Sequence, residues 1–484
     1  MEQRLDPNSA GGHAERRPIV ELMALALPTV AQMASYTLMQ FADRWMLAWV
    51  GDLEAMAAGT AGIVFFCAIG FGFGVLLVVN TLVAQSFGRR DFISAGRYLW
   101  QGIWFALLFG LATMFLYPLA EPMFRLMGHE AKVVALESEY LRVVALAGTV
   151  KLVQTAASQF LLGVHRPMIV FVATALGVLV NLFFNWLLIF GNWGFPRMGV
   201  SGAAWGTNFA VIVEVLVMGA YMARPAMARL FNTLDWKPNW PMFWTLLRVG
   251  TPAGFQLVWD VMAWMVFMNV IIAAYGTAAL SANSFAFTYM HVSFMPAIGV
   301  GAAVTALVGK YIGMKRHDLA ARRAHLGFFV VAAYMVGCGS LFYVFRESLM
   351  KVFSSDPEVL RIGTVLLIFC AVYQIFDAMF IVYVGALRGA GDTLVPALGQ
   401  GVLVWSIVVG GGGLITRYAP QYGVSGPWTL ATIFGAILGF FLLIRFNRGG
   451  WKKIVLHPEH ASADSPPGGF PVNVLDSVPV DESN

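Results

Sequence analysis

The chain has 484 residues, 59% apolar and only 12% charged, with a formal net charge of +5; a soluble domain carries about 25% charged residues. That deficit excludes an ordinary soluble domain, and it removes nucleic-acid binding as a reading of the positive balance, because Lys and Arg in such a chain report topology. Cys67, Cys338 and Cys370 lie inside apolar runs without CxxC spacing, so neither a disulfide framework nor a metal site is expected.

Residues 1–18 are polar, carry Arg4, Arg16 and Arg17, and lack a short apolar core with a cleavage site; they read as a cytoplasmic tail before an uncleaved signal anchor. About twelve apolar stretches follow, at 19–49, 59–86, 98–120, 139–163, 167–191, 202–224, 245–275, 284–312, 324–346, 361–387, 393–416 and 425–446. Each is long enough to cross a bilayer as a helix. Helices are expected because backbone groups in lipid must be paired within their own segment, and no ten-residue alternation suggests a barrel. The expected fold class is an all-α polytopic membrane protein. With the N-terminus inside, only Arg125, Lys132, Arg142, Arg197, Arg346, Lys351, Arg361 and Arg417 fall at the outer side, and Arg44 and Lys151 fall within spans. The remaining basic residues lie inside, so both termini are expected in the cytoplasm.

The chain repeats itself. "LVAQSFGRRDFISAGR" (82–97) aligns with "LVGKYIGMKRHDLAARR" (307–323) at an offset of 225, pairing Gly88 with Gly313 and Arg97 with Arg322. "GVSG" at 199–202 recurs at 423–426, and Gly163 and Arg166 pair with Gly385 and Arg388 at an offset of 222. Each half holds an even number of spans, which makes the halves parallel repeats about an axis along the membrane normal. The expected organisation is a tail (1–18), an N-lobe of spans 1–6 (19–224), a cytoplasmic linker (225–244), a C-lobe of spans 7–12 (245–446) and a disordered, Pro- and Gly-rich tail (447–484). Trp451, Lys452 and Lys453 are expected to anchor that tail at the interface. Its "HPEH" (457–460) reads as solvated residues rather than a metal site.

Ionisable residues at membrane depth are functional candidates, because isolated charge there is costly. They are Asp43, Lys151, Glu214, Asp260 and Asp377. Tyr373 and Asp377 share a helix face, as do Gln256 and Asp260. In span 1, Gln32, Tyr36, Gln40 and Asp43 make one polar stripe that starts near Pro28, where the helix can kink. In the repeat, Pro28 and Gln32 fall on Pro252 and Gln256, Tyr36 on Asp260 and Asp43 on Phe267; at the offset of 222, Lys151 falls on Tyr373. A pair between Asp43 and Lys151 is expected. Arg44 points away and is expected to snorkel outward. Phe285, Phe287, Met290 and Phe294 suit a cleft for flat cations, and His291 reads as a hydrogen-bonded structural residue.

The two six-span halves, the "GRRDFISAGR" loop with its repeat, "GALRGAGDT" (385–393) and "NWGFPRMGVSGAAWGT" (192–207) are similar to the multidrug and toxic compound extrusion (MATE) family, NorM-type branch. The resemblance covers about residues 15–446. It implies cation or proton coupling at Asp260, Tyr373 and Asp377, with Asp where the branch usually has Glu at position 260. It implies a second coupling site at Asp43, lined by Asn181 and Asn185, and a kink at Pro28 linked to the transport cycle. Gln32, Tyr36, Gln40, Lys151, Gln256 and Asn283 are expected to support the sites or line the substrate cleft.

The expected function is antiport of amphipathic, mostly cationic organic compounds for H+ or Na+ across a bacterial-type inner membrane, with no other cofactor and no nucleic-acid partner, by a monomer in the bilayer. The alternative on the same fold is a flippase for a lipid-linked precursor, which would call for several cleft-facing Arg or Lys. An enzyme is not expected, since HExxH and GxSxG are absent and no nucleophile accompanies the carboxylates.

Overall fold

The computed structural model describes residues 18–456, which form helices and no strands. The polar N-terminal tail and the "HPEH" segment lie outside the described residues. Long apolar runs force this outcome, since a helix pairs every backbone group internally. The helices in chain order are α1 (Pro18–Ala48), α2 (Asp52–Gly88), α3 (Phe92–Thr113), α4 (Leu116–Leu126), α5 (Ala131–Leu146), α6 (Gly148–Gly163), α7 (Pro167–Phe190), α8 (Val200–Met222) and α9 (Pro225–Phe231). The second half holds α10 (Trp240–Val266), α11 (Thr277–Gly313), α12 (His317–Val344), α13 (Arg346–Lys351), α14 (Pro357–Gly389), α15 (Leu394–Leu403), α16 (Gly412–Tyr418) and α17 (Ser425–Asn447).

Among the described residues 10 helices are long and apolar enough to cross a membrane, and an eleventh span is made by α3 and α4, bent by 50°. The span expected at 139–163 is instead two helices of 16 residues each, α5 and α6, broken at Ala147. α5 carries Lys132, Glu137, Glu139 and Arg142 along its length, too much charge for a single apolar span. Two further spans loosen into π-helical turns, Phe267–Ile272 after α10 and Val404–Gly411 between α15 and α16. α1 runs as one helix through Pro28.

The repeat is visible in the backbone. Arg90 and Lys315 both take a positive φ, of 63° and 58°, 225 residues apart, and Gly199 and Gly423 do so 224 apart, at 53° and 56°. Close packing repeats too. A Cβ on Gly88 would stand 2.0 Å from the Lys310 carbonyl oxygen, and one on Gly313 would stand 2.1 Å from the Gln85 carbonyl oxygen. α2 and α11 therefore touch through glycine in both directions, and only a missing side chain lets the backbones approach so closely.

One register differs from the expectation. His165 N–H bonds Leu162 O and Arg166 N–H bonds Leu161 O, while Gly391 N–H bonds Arg388 O and Asp392 N–H bonds Leu387 O. Identical closing turns pair Gly163 with Gly389, 226 residues on, rather than with Gly385. The sequence match fell one helical turn short because Gly385 and Arg388 reproduce the Gly-x-x-Arg spacing of Gly163 and Arg166, four residues before the structural equivalent Gly389. In the structural register Lys151 falls on Asp377, not on Tyr373.

The halves meet where α1 packs on α11 and α2 packs on α10 and α11. Near Pro28, Thr29 Oγ1 donates across this seam to Gly299 O at 2.8 Å. At the end of the bundle where α1 begins, Glu21 accepts from Arg323 Nε at 2.8 Å and Lys310 Nζ at 3.1 Å. Tyr311 donates to the same carboxylate at 2.7 Å. The segment after α8 is held to α3, with Trp100 Nε1 donating to Thr233 O at 2.8 Å and Trp104 Nε1 to Trp236 O at 3.0 Å. Trp451 is not an interface anchor: it is buried, stacked on Phe446 at 5.1 Å, and donates to Phe446 O.

Candidate functional site: polar clusters inside the two lobes

In the second half, α10 brings Asp260 and Gln256 onto one face, four residues apart. Gln400 of α15 ties them together: its Nε2 donates to Asp260 Oδ1 at 2.8 Å, and its Oε1 accepts from Gln256 Nε2 at 2.6 Å. α14 supplies Tyr373 and Asp377, both buried, and the charge of Asp260 acts on both. Trp264, one turn after Asp260, lies near enough to act on its carboxylate and stands edge-on to the Tyr373 ring at 6.2 Å. The two carboxylates thus lie close enough for the charge of one to act on the other, without an Arg or Lys bonded to either among the described residues. Such an arrangement favours a proton or a small cation between them, because two poorly solvated negative charges repel strongly.

Asn283 is fully buried, with its Oδ1 accepting from Trp428 Nε1 at 2.9 Å and its Nδ2 unpartnered. The rings of Trp428, Phe287 and Trp264, spaced 5.8 and 5.6 Å, lie between it and the carboxylates. Phe285 is occupied in packing, stacked on Phe353 at 4.8 Å. His291 is exposed, has no side-chain hydrogen bond among the described residues, and feels the Arg44 charge across the seam.

In the first half, Asp43 of α1 accepts from Asn185 Nδ2 of α7 at 2.5 Å, and the same Nδ2 reaches Asn181 Oδ1 at 3.2 Å. Thr207 Oγ1 of α8 lies 3.5 Å from the other Asp43 oxygen, and Tyr140 of α5 stands close enough to sense its charge. Asn181 Nδ2 and Asn185 Oδ1 are buried without partners. Gly206 makes room here, since a Cβ on it would stand 2.1 Å from Asn185 Oδ1.

Lys151 does not pair with Asp43. Its Nζ lies over the Tyr36 ring, 5.1 Å from the centroid, and among the described residues no ion pair within 4.0 Å joins it to a carboxylate. The one-turn register shift explains this: Lys151 starts one turn off the level assumed for it, beside Tyr36 rather than Asp43. Its electrostatic partner is Glu214, a buried residue of α8 that accepts from Gln154 Nε2 at 2.7 Å. Gln32 is buried with its Oε1 unpartnered, and Gln40 is half-buried on the same stripe. Sequence reasoning missed Gln400, Thr207 and Trp264. Gln400 is the lone amide of its span, which is a usable signal; Trp264 is one of four tryptophans in α10 and gives none, and Thr207 is uncharged and lies outside any spacing pattern.

Multi-pass helical repeats that hold carboxylates in their interior are an architecture of membrane transporters. The MatE family model matches residues 28–187 and 252–409, once in each half and starting at Pro28 and Pro252. The chain belongs to the MatE family, whose members are transporters and not enzymes. It is 28% identical to the probable multidrug resistance protein NorM of Chromobacterium violaceum over 442 residues, covering 90% of this chain and 94% of that one. It is also 28% identical to the multidrug resistance protein PmpM of Pseudomonas aeruginosa, covering 91% and 94%. Its fold matches an outward-facing multidrug resistance MATE family transporter of the MOP superfamily, with a TM-score of 0.82 and 20% identity over 91% of this chain and 98% of that one. The eukaryotic MATE transporter AtDTX14 matches at 0.81 and 17%, over 90% and 97%.

Proposed function

We propose that the protein is an antiporter that exports amphipathic, mostly cationic organic compounds in exchange for H+ or Na+ by alternating access of the cleft between its halves. The observation that carries this is the pair Asp260 of α10 and Asp377 of α14, with Tyr373 one turn before Asp377 and Gln400 orienting Asp260. The multidrug resistance names of the relatives agree with it. A proton or cation entering the pocket neutralises the pair and weakens its hold on a cationic substrate, which is then released outside. Loss of the ion on the other side restores the charge. The ion drives the cycle only because it binds the two conformations unequally. Asp43 with Asn181, Asn185 and Thr207 is a second ion site, and bending of α1 at Pro28 couples it to the seam. The end of the bundle where α1 begins faces the cytoplasm of a bacterial-type inner membrane, and the working unit is a monomer.

The test is ethidium efflux from vesicles containing the protein, under an imposed pH gradient and then a sodium gradient, repeated with Asp377→Asn. Efflux driven by one gradient and abolished by the substitution is expected. Efflux that ignores both gradients, or survives Asp377→Asn unchanged, overturns the proposal.

A further inference from the structure

The two lobes are related by a repeat, yet at one equivalent interior position they carry opposite charge. In the register set by the closing turns of α6 and α14, Lys151 stands where the other lobe has Asp377. Tyr36 stands where it has Asp260, four residues after Gln32 as Asp260 follows Gln256. The contacts obey the same equivalence. Asp377 acts on Asp260 in the C-lobe, and Lys151 lies on the Tyr36 ring in the N-lobe, 5.1 Å from its centroid. A pair of carboxylates in one half is thus replaced by an ammonium over an aromatic face in the other.

The neighbouring carboxylates leave that ammonium without a direct partner. Asp43 is bonded by Asn185, and Glu214 is bonded by Gln154 and acts on Lys151 only from beyond 4.0 Å. A half-buried ammonium that touches only a ring face has hydrogen-bonding capacity unused, and desolvated charge without a bonded counter-ion is unfavourable. Gln32 Oε1, one turn before Tyr36, is also buried and unpartnered.

We infer that Lys151 and the Tyr36 ring form an anion subsite in the N-lobe that takes the carboxylate of a zwitterionic aromatic substrate, while the substrate's cationic end faces the C-lobe carboxylates. The inference rests on the export reading above and deepens it, because it names a substrate class and gives each lobe one end of the molecule. The ammonium attracts a carboxylate and repels an organic cation, so it discriminates by both attraction and repulsion. Tyr36 adds an apolar face on which an aryl ring packs.

Rhodamine 110, a zwitterion with a free carboxylate, and rhodamine 123, its cationic methyl ester, are suitable probes because they share one scaffold. Export of each from proteoliposomes is measured for the wild type, Lys151→Met and Lys151→Arg. Lys151→Met, which keeps length and removes charge, is expected to raise KM for the acid by about tenfold or more, the worth of one charge-assisted hydrogen bond. Export of the ester is expected to persist, which also shows the variant folded, and Lys151→Arg is expected to keep the preference for the acid. An acid-to-ester ratio unchanged by Lys151→Met overturns the inference. So does loss of both substrates together in Lys151→Met, or an acid defect in Lys151→Arg as large as in Lys151→Met. Failure of the coupling reading gives a different result: Asp377→Asn then leaves export of the ester intact, while the acid-to-ester ratio still reports on Lys151.

Discussion

Replacing Glu21 with Gln tests whether the ion cluster at the start of α1 holds that end of the transporter shut. Glu21 belongs to the first half, and its three partners, Lys310, Tyr311 and Arg323, belong to the second. The cluster therefore exists only while the halves meet at this end. Glu21→Gln leaves two cations, Lys310 and Arg323, packed 5.4 Å from the centre of the same Tyr311 ring without a counter-charge. Removing one partner of a buried pair costs about 3–5 kcal/mol. Side-chain exposure of 12% at Glu21 and 20% at Lys310 lets water recover part of this, which leaves about 2 kcal/mol. In the open state the same groups are hydrated and separate, so the penalty falls on the closed state alone. The equilibrium should move toward opening by about 30-fold. Spin labels at Arg90 and Met314, which flank the seam between α2 and α11, read this out in a background lacking Cys67, Cys338 and Cys370. The substitution should shift the distance distribution to longer values. A distribution identical to that of wild type would refute the reasoning.

Gln400→Leu removes the donor to Asp260 and the acceptor for Gln256 at once; hydrogen bonds to charged groups are worth about 1.5–3 kcal/mol, so gradient-driven ethidium efflux should fall at least tenfold while the protein still inserts. Gly88→Val drives a side chain into the Lys310 carbonyl, 2.0 Å from the Cβ position, and should lower the melting temperature in detergent; a melting temperature equal to wild type contradicts the close packing of α2 on α11. Asn185→Ala deprives Asp43 of its 2.5 Å donor and should change the pH or sodium dependence of efflux, measured as its midpoint; an unaltered midpoint removes Asp43 from ion coupling.

How far the sequence reached can be judged residue by residue. Apolar runs of about 20 residues or more set the all-helical, multi-pass class, because lipid permits no unpaired backbone. The loop repeat at an offset of 225 located the glycines through which α2 and α11 touch. Spacings of four residues put Gln256 with Asp260 and Tyr373 with Asp377, because a helix fixes which residues share a face. The partners across helices were not legible in this way. Gln400, 140 residues from Asp260, reaches it only because α10 and α15 pack together. Glu21 carried no signal of its own in the sequence, and only the packing of α11 and α12 places three donors around it.

Lys151 marks the limit most clearly. Its sequence register placed it level with Tyr373, opposite Asp43, because one glycine match four residues away from the true one is as good to an alignment as the right one. Only the hydrogen bonds that close α6 and α14 set the register, and with it the neighbour of the charge: Tyr36 rather than Asp43. Composition and the internal repeat determined that this chain is a two-fold repeated, multi-pass membrane protein with charge in its interior. Which of those charges meet was decided by packing, since a slip of one turn, about 5.4 Å, exceeds the reach of any ion pair.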